Sequence, residues 1–276
     1  MLAGTIYATC IVIPLSGLPI PLHFISIVAA TTLLEAIRNR LLWLAVIVVG
    51  VALGLAQFVN QVSITESLQI QAALLAATLR VAAVFIVAAF IITSMVREAN
   101  DKVTELMLSL PAPRSSYFLG KFCGYALAAV TLALVFTLPL ALFAPTGGLI
   151  AWAGSLVCEL LIVTSVSLFC VVSLTQVLSA LAATAGFYFL SRSMGAMQVI
   201  AGATLTTEHS FSDTAISWIV NAIALLLPGL DRMTRTDWLV DAAPGLDEIA
   251  GLFGQSAVYV VLIAGAALFD LQRKNY

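Results

Sequence analysis

Three ionisable residues, Arg80, Glu159 and Arg192, stand inside long apolar runs of the sequence. An isolated charge in such surroundings costs at least about 2.5 kcal/mol. Counted from the ends of their runs, all three fall at a common depth of roughly 12–15 Å at 1.5 Å per residue. Three charges at one depth on separate helices invite pairing, with Glu159 neutralising one or both arginines. The cluster is then either an internal staple or part of a substrate path, and spacing leaves both open. A second group lies between two apolar runs. Glu98, Asp101 and Glu105 stand at i, i+3 and i+7, one face of a helix predicted over 97–110. Leu106, Leu108 and Leu110 add apolar contacts, and Pro111 ends the helix before Arg114. A charged, partly amphipathic segment between apolar runs is something a water-soluble partner can grip.

Other chemistries are missing their parts. A phosphate-binding loop needs G-x-x-x-x-G-K-[ST]; around Gly120-Lys121, Ser115 replaces the first glycine and Phe122 the hydroxyl residue. Intramembrane proteolysis fares no better: there is no HExxH, and Ser256 in Gly254-Gln-Ser256-Ala has no histidine partner within a span. His23 and His209 are isolated. Cys10, Cys123, Cys158 and Cys170 show no metal-ligand spacing and read as small buried hydrophobes. A net charge of −2 and the lack of a basic, aromatic-interleaved patch argue against nucleic acid.

The elements that must position these residues are membrane spans. With 62% hydrophobic and 9% charged residues, the chain lies outside the range of soluble domains. Apolar runs of about 20 residues predict an all-α, polytopic membrane protein. Its six transmembrane helices fall at about 41–60, 71–95, 117–143, 148–174, 177–200 and 252–270. Pro139 ends or bends the third span, Pro145-Thr-Gly-Gly148 separates it from the fourth, and Thr175-Gln176 separates the fourth from the fifth. Residues 24–40 predict an interfacial helix, with Glu35, Arg38 and Arg40 on its polar side and Ile27, Leu34 and Ile37 at helical spacing; the alternative is that it extends the first span. Residues 1–23 form an apolar extension that Pro14, Pro19 and Pro21 keep from being a straight span. Residues 24–276 form one permease-sized domain. Its external segment, 201–251, contains a re-entrant or interfacial stretch at Ala215–Leu227 that is too short to cross. Gly50-x-x-x-Gly54 and Gly120-x-x-x-Gly124 permit close helix approach, within one subunit or between copies.

In this layout Arg38, Arg40, Arg97, Lys102, Arg114, Lys121, Arg273 and Lys274 all flank spans on one side, eight of the twelve basic residues. The other face keeps Arg232 and Arg235 beside eight acids. Positive charge accumulates inside, so both termini are expected in the cytoplasm.

The order of these features resembles a known family. An interfacial helix and a span pair lead into a loop reading Glu98…Thr104-Glu-Leu-Met-Leu-Ser-Leu-Pro111-x-x-Arg114…Tyr117-x-Leu-Gly120-Lys121, followed by four more spans. This is similar to a type-2 ABC transporter permease, the membrane subunit of an ABC exporter. Leu268-Phe269-Asp270-x-x-Arg273-Lys274 resembles the basic stop of such subunits, whereas Asp101-Lys102 replaces the Gly-Thr that many members carry. The resemblance implies a cytoplasmic coupling helix within the loop at 96–116, with Glu98, Asp101, Glu105, Leu106, Leu108, Pro111 and Arg114 meeting a separate ATPase. It further implies two ATPase copies carrying ATP and Mg, with no cofactor on this chain. A second permease subunit, identical or related, would complete an exporter in the lipids of the inner (plasma) membrane that works by alternating access. The competing reading is an ATP-independent carrier or channel using Arg80, Glu159 and Arg192.

Overall fold

A computed structural model describes residues 20–39, 41–62, 67–102, 113–143, 145–204, 218, 222–223, 227–234, 238 and 245–273. Eight helices are assigned among them: α1 (Ile20–Arg38), α2 (Leu41–Val62), α3 (Ser67–Asn100), α4 (Arg114–Leu140), α5 (Thr146–Leu174), α6 (Val177–Thr204), α7 (Leu230–Met233) and α8 (Leu246–Arg273). The described residues contain no strand. Lipid supplies no hydrogen-bond partner for backbone amides, so helices that satisfy their own are the expected solution.

Four helical stretches are each long and apolar enough to cross a membrane: Ile70–Asn100, Arg114–Leu140, Gly147–Leu174 and Ile249–Arg273. α1 and α2 pass the same test as a pair, bent by 51° at the break between them, which makes five. The expected span at 177–200 is helical, as α6, but is not among these. Its Arg192 and its hydroxyl-bearing side chains make it less apolar. The structure therefore supports an all-helical, multi-pass membrane protein with four or five apolar span candidates, a coarser picture than six.

Several boundaries follow local chemistry. α4 runs one residue past Pro139, and Ala141 to Phe143 form a turn. α5 ends where Thr175 takes a left-handed conformation (φ 57°) and its amide donates to the Val171 carbonyl at 3.1 Å, an αL stop. The segment expected outside, 201–251, starts and ends in helix, because α6 extends to Thr204 and α8 starts at Leu246. Of Ala215–Leu227 only residues 218, 222–223 and 227 are described, so the re-entrant reading falls outside the described residues. The same holds for residues 1–19. Ile20 to His23, however, belong to α1 and not to an irregular extension. Pro21 sits in the first turn, where a missing amide donor costs no intrahelical bond.

α5 is the central helix. Trp152, Leu156, Leu160, Ile162 and Leu168 on it are buried, and it touches α3, α4, α6, α7 and α8. α1 lies along α4. A Cβ at Gly120 would meet Val28 Cβ at 2.7 Å, and one at Gly124 would meet Thr32 Cβ at 2.6 Å and the Ala29 carbonyl at 2.9 Å. This pair of glycines is therefore a seat for α1 within the subunit. Gly50 and Gly54 meet nothing within 4 Å; they lie on an outward face of α2 with Trp43, Ile47, Val51 and Phe58.

Candidate functional site

Arg80, Glu159 and Arg192 are brought together from α3, α5 and α6. Each lies about a dozen residues from the helix end on that side of the bundle, roughly 18–20 Å. Arg80 Nη1 donates to Glu159 Oε2 at 2.8 Å, and both side chains are 0% exposed. The same nitrogen donates to the Met233 carbonyl at 2.9 Å, and Nη2 donates to Ser155 Oγ at 2.9 Å. The guanidinium also lies over the Trp152 ring, 5.1 Å from its centroid. Met233 is the last residue of the four-residue α7, so Arg80 is held by a backbone carbonyl as well as by a carboxylate.

The second oxygen of Glu159 is also used. Tyr188 donates its hydroxyl to Oε1 at 2.9 Å, and Arg192 Nη1 donates to that hydroxyl at 2.9 Å. Arg192 itself stands 4.0 Å from Oε1 and its side chain is 30% exposed. The network thus has a closed half and an open half. Arg80–Glu159 is sealed, with Arg80 Nε and Trp152 Nε1 buried without a hydrogen-bond partner; Arg192 reaches it through Tyr188 and stays partly exposed. One carboxylate faces two guanidinium groups, so these three residues together carry one positive charge.

Tyr188, Ser155, Trp152 and the Met233 carbonyl were not among the sequence candidates. Two spacings point to them. Trp152, Ser155 and Glu159 stand at i, i+3 and i+7 on α5, and Tyr188 and Arg192 at i and i+4 on α6. The Met233 contact has no local signal, because it joins residues far apart in sequence.

A second polar frame lies where α3 ends and α4 begins. Glu98 sits in the last turn of α3, receives the Lys121 ammonium, and accepts the Tyr117 hydroxyl at 3.2 Å. Glu35 of α1 pairs with Arg97 and accepts Ser94 Oγ at 2.8 Å, while Tyr125 donates to Ser94 at 3.1 Å. The Lys121 ammonium also lies over the Tyr125 ring, 5.7 Å from its centroid. These bonds tie α1, α3 and α4 into one unit.

Of the helix expected over 97–110, only residues 97–102 are described. α3 continues only to Asn100, and Lys102 takes a left-handed conformation (φ 57°) that stops it. Glu98 therefore belongs to a span and faces Lys121, whereas Asp101 is exposed beyond the helix end. Asp101 still donates its amide to the Arg97 carbonyl at 2.9 Å, so it keeps the register of α3 three residues after Glu98, and the left-handed turn follows it at Lys102. Glu105, Leu106, Leu108 and Pro111 lie outside the described residues. Arg114 is the first residue of α4. On α1, Glu35 turns toward Arg97 and Arg38 is exposed, and Arg40 lies outside the described residues. No cluster of three metal-ligating side chains occurs among the described residues.

Compared with known proteins, residues 57–264 match the family described as ABC-2 family transporter protein. The match starts within α2 and ends within α8, so it takes in the connection between α3 and α4 as well as Arg80, Glu159 and Arg192. No curated protein matches the chain.

Proposed function

The chain belongs to the ABC-2 family of transporter proteins, and from that premise we propose that it is the permease half of an exporter driven through the loop between α3 and α4. Membership makes it the membrane subunit of an ABC transporter, not its ATPase, and such subunits normally work with an ATPase. The proposal adds two cytoplasmic ATPase copies, carrying ATP and Mg, and a second permease subunit, identical or related. It adds alternating access, and an orientation in the inner (plasma) membrane with both termini inside.

The observation that carries the proposal is the clamp at the ends of that loop. Glu98 on α3 is bonded to Lys121 and Tyr117 on α4, so a load on residues 103–112 reaches two long helices together. Glu35–Arg97 passes the same load to α1. Apolar residues at Leu106 and Leu108 supply affinity for an ATPase groove, and the charges of Asp101 and Glu105 supply orientation.

The carrier reading gains less support. Arg80 and Glu159 are fully enclosed, bonded to each other and to neighbouring groups. That suits a staple better than a site that must release a substrate. Only Arg192 keeps an accessible edge.

Co-purification of an ABC ATPase with the tagged permease, followed by ATP turnover of the complex, tests the proposal. Leu108→Asp or Glu105→Arg is expected to abolish co-purification while the permease still reaches the membrane. Undiminished ATPase retention in both variants would refute the coupling role of the loop.

A further inference from the structure

Arg192 is the member of the intramembrane network with donors to spare. It stands near the middle of α6, roughly 18–22 Å from either end at 1.5 Å per residue. Of the several N–H groups of a guanidinium, one donates to the Tyr188 hydroxyl at 2.9 Å. Arg192 makes no other hydrogen bond among the described residues. Glu159 Oε1, 4.0 Å away, already accepts from Tyr188, and Oε2 accepts from Arg80. α7 adds Asp231, whose carboxylate lies against Gly195 one turn further along α6, and the exposed Arg232 beside it. These two cancel in charge, and among the described residues Glu159 alone brings a carboxylate within 4.0 Å of Arg192.

The free N–H groups lie at the border of two faces of α6. Thr184, Tyr188 and Ser191 are buried, whereas Ala182, Gly186, Phe189 and Ala196 are exposed. The Phe189 ring lies 5.8 Å from those of Phe85 and Tyr188, so three aromatic rings adjoin the guanidinium. A Cβ at Gly186 would meet nothing within 4 Å, which leaves the surface beside that panel open. Hydrocarbon satisfies no N–H group, and ionisable residues inside spans mark substrate and ion paths. A second copy of this chain offers no match, because Glu159 is the only acid near the middle of an apolar run and its side chain is 0% exposed. Nor do resident lipids: the hydrocarbon core is about 30 Å thick, so their head groups lie about 15 Å from its middle.

We infer that Arg192 reads the anionic group of the cargo, a carboxylate or phosphate on an apolar body that lies along Phe189. A planar guanidinium presents paired donors in the geometry of such groups. Tyr188 holds the fork in place through one nitrogen and leaves the others to the ligand. The inference rests on the transport reading above and adds to it the class of substrate, an anionic amphiphile. Arg80 takes no part in binding, since it is enclosed with Glu159.

Fluorescence titration of the purified full-length permease in zwitterionic lipid discs tests it, with dansylaminoundecanoic acid and its methyl ester as probes. The pH is held well above the carboxyl pKa, and empty discs give the lipid background. The wild type is expected to bind the acid about tenfold more tightly than the ester, the scale of a hydrogen bond to a charged group. Arg192→Gln is expected to bring the acid to the affinity of the ester and to leave the ester unchanged. Equal binding of acid and ester by the wild type overturns the inference, and that comparison needs no variant. So does a preference for the acid that persists in a folded Arg192→Gln protein. No ATPase is present in this assay, so its outcome is separable from the coupling test. A permease that retains no ATPase yet prefers the acid loses the transport reading and keeps the site, and one that retains its ATPase without the preference does the reverse.

Discussion

Glu159→Gln isolates the physics of the buried network. In the folded protein both carboxylate oxygens accept: Oε2 from Arg80 at 2.8 Å and Oε1 from Tyr188 at 2.9 Å. An amide offers one acceptor and one donor, so one neighbour must then face an N–H. The loss also leaves Arg80, 0% exposed, with no counter-charge apart from the α7 carbonyl. Removing one partner of a buried pair costs about 3–5 kcal/mol, and the α7 carbonyl and the Trp152 ring place this case near the lower figure. At about 2–4 °C per kcal/mol for a chain of this size, the melting midpoint should fall by roughly 6–12 °C. A thiol-reactive dye can follow unfolding in lipid discs, because Cys158 and Cys170 are free and buried. Exposed Cys123 is blocked beforehand. Arg80→Met alone should cost a similar amount, since it strands Glu159. The double variant Arg80→Met/Glu159→Leu should recover at least half of the summed loss, as an apolar pair no longer carries an unmatched charge. Strict additivity of the two single variants, or a midpoint unchanged by Glu159→Gln, would refute the argument that the charges are coupled through contact.

Arg192→Gln should cost less than about 1 kcal/mol of stability, because its side chain is 30% exposed and it reaches Glu159 mainly through Tyr188; if the same variant abolishes transport, the open half of the network lies on the substrate path. Gly124→Leu should push α1 off α4, since its Cβ meets the backbone carbonyl of Ala29 at 2.9 Å; the expected loss is about 1–3 kcal/mol, read with the same dye, whereas Gly50→Ala should leave the midpoint unchanged. Lys121→Glu should uncouple ATP turnover from transport, and the swap Glu98→Lys/Lys121→Glu should restore part of it; no rescue would mean that the clamp does not carry the load. Asp101→Cys should react with an impermeant maleimide only from the cytoplasmic face, and labelling from outside would invert the topology.

The apolar runs that form α3, α4, α5 and α8, and the helix ends at Pro139 and Thr175-Gln176, were legible in the sequence because each depends on local composition. Hydropathy, proline and the cost of a lone charge act over one helix length. The end of α3 was less legible, for a related reason. Periodicity at 98, 101 and 105 is a helical signal, but it carries no information that Lys102 turns left-handed and that Glu98 is claimed by Lys121 across the fold.

From the chain alone came the solvent this protein lives in, its helical class and the demand that Arg80, Glu159 and Arg192 find partners. The tertiary structure decided who those partners are. It gave Arg80 the whole of Glu159 Oε2 and the α7 terminus, left Arg192 half open behind Tyr188, and seated α1 on the glycines of α4. Helix rotation decides such pairings, and rotation is fixed by contacts between residues distant in sequence, where periodicity has no reach.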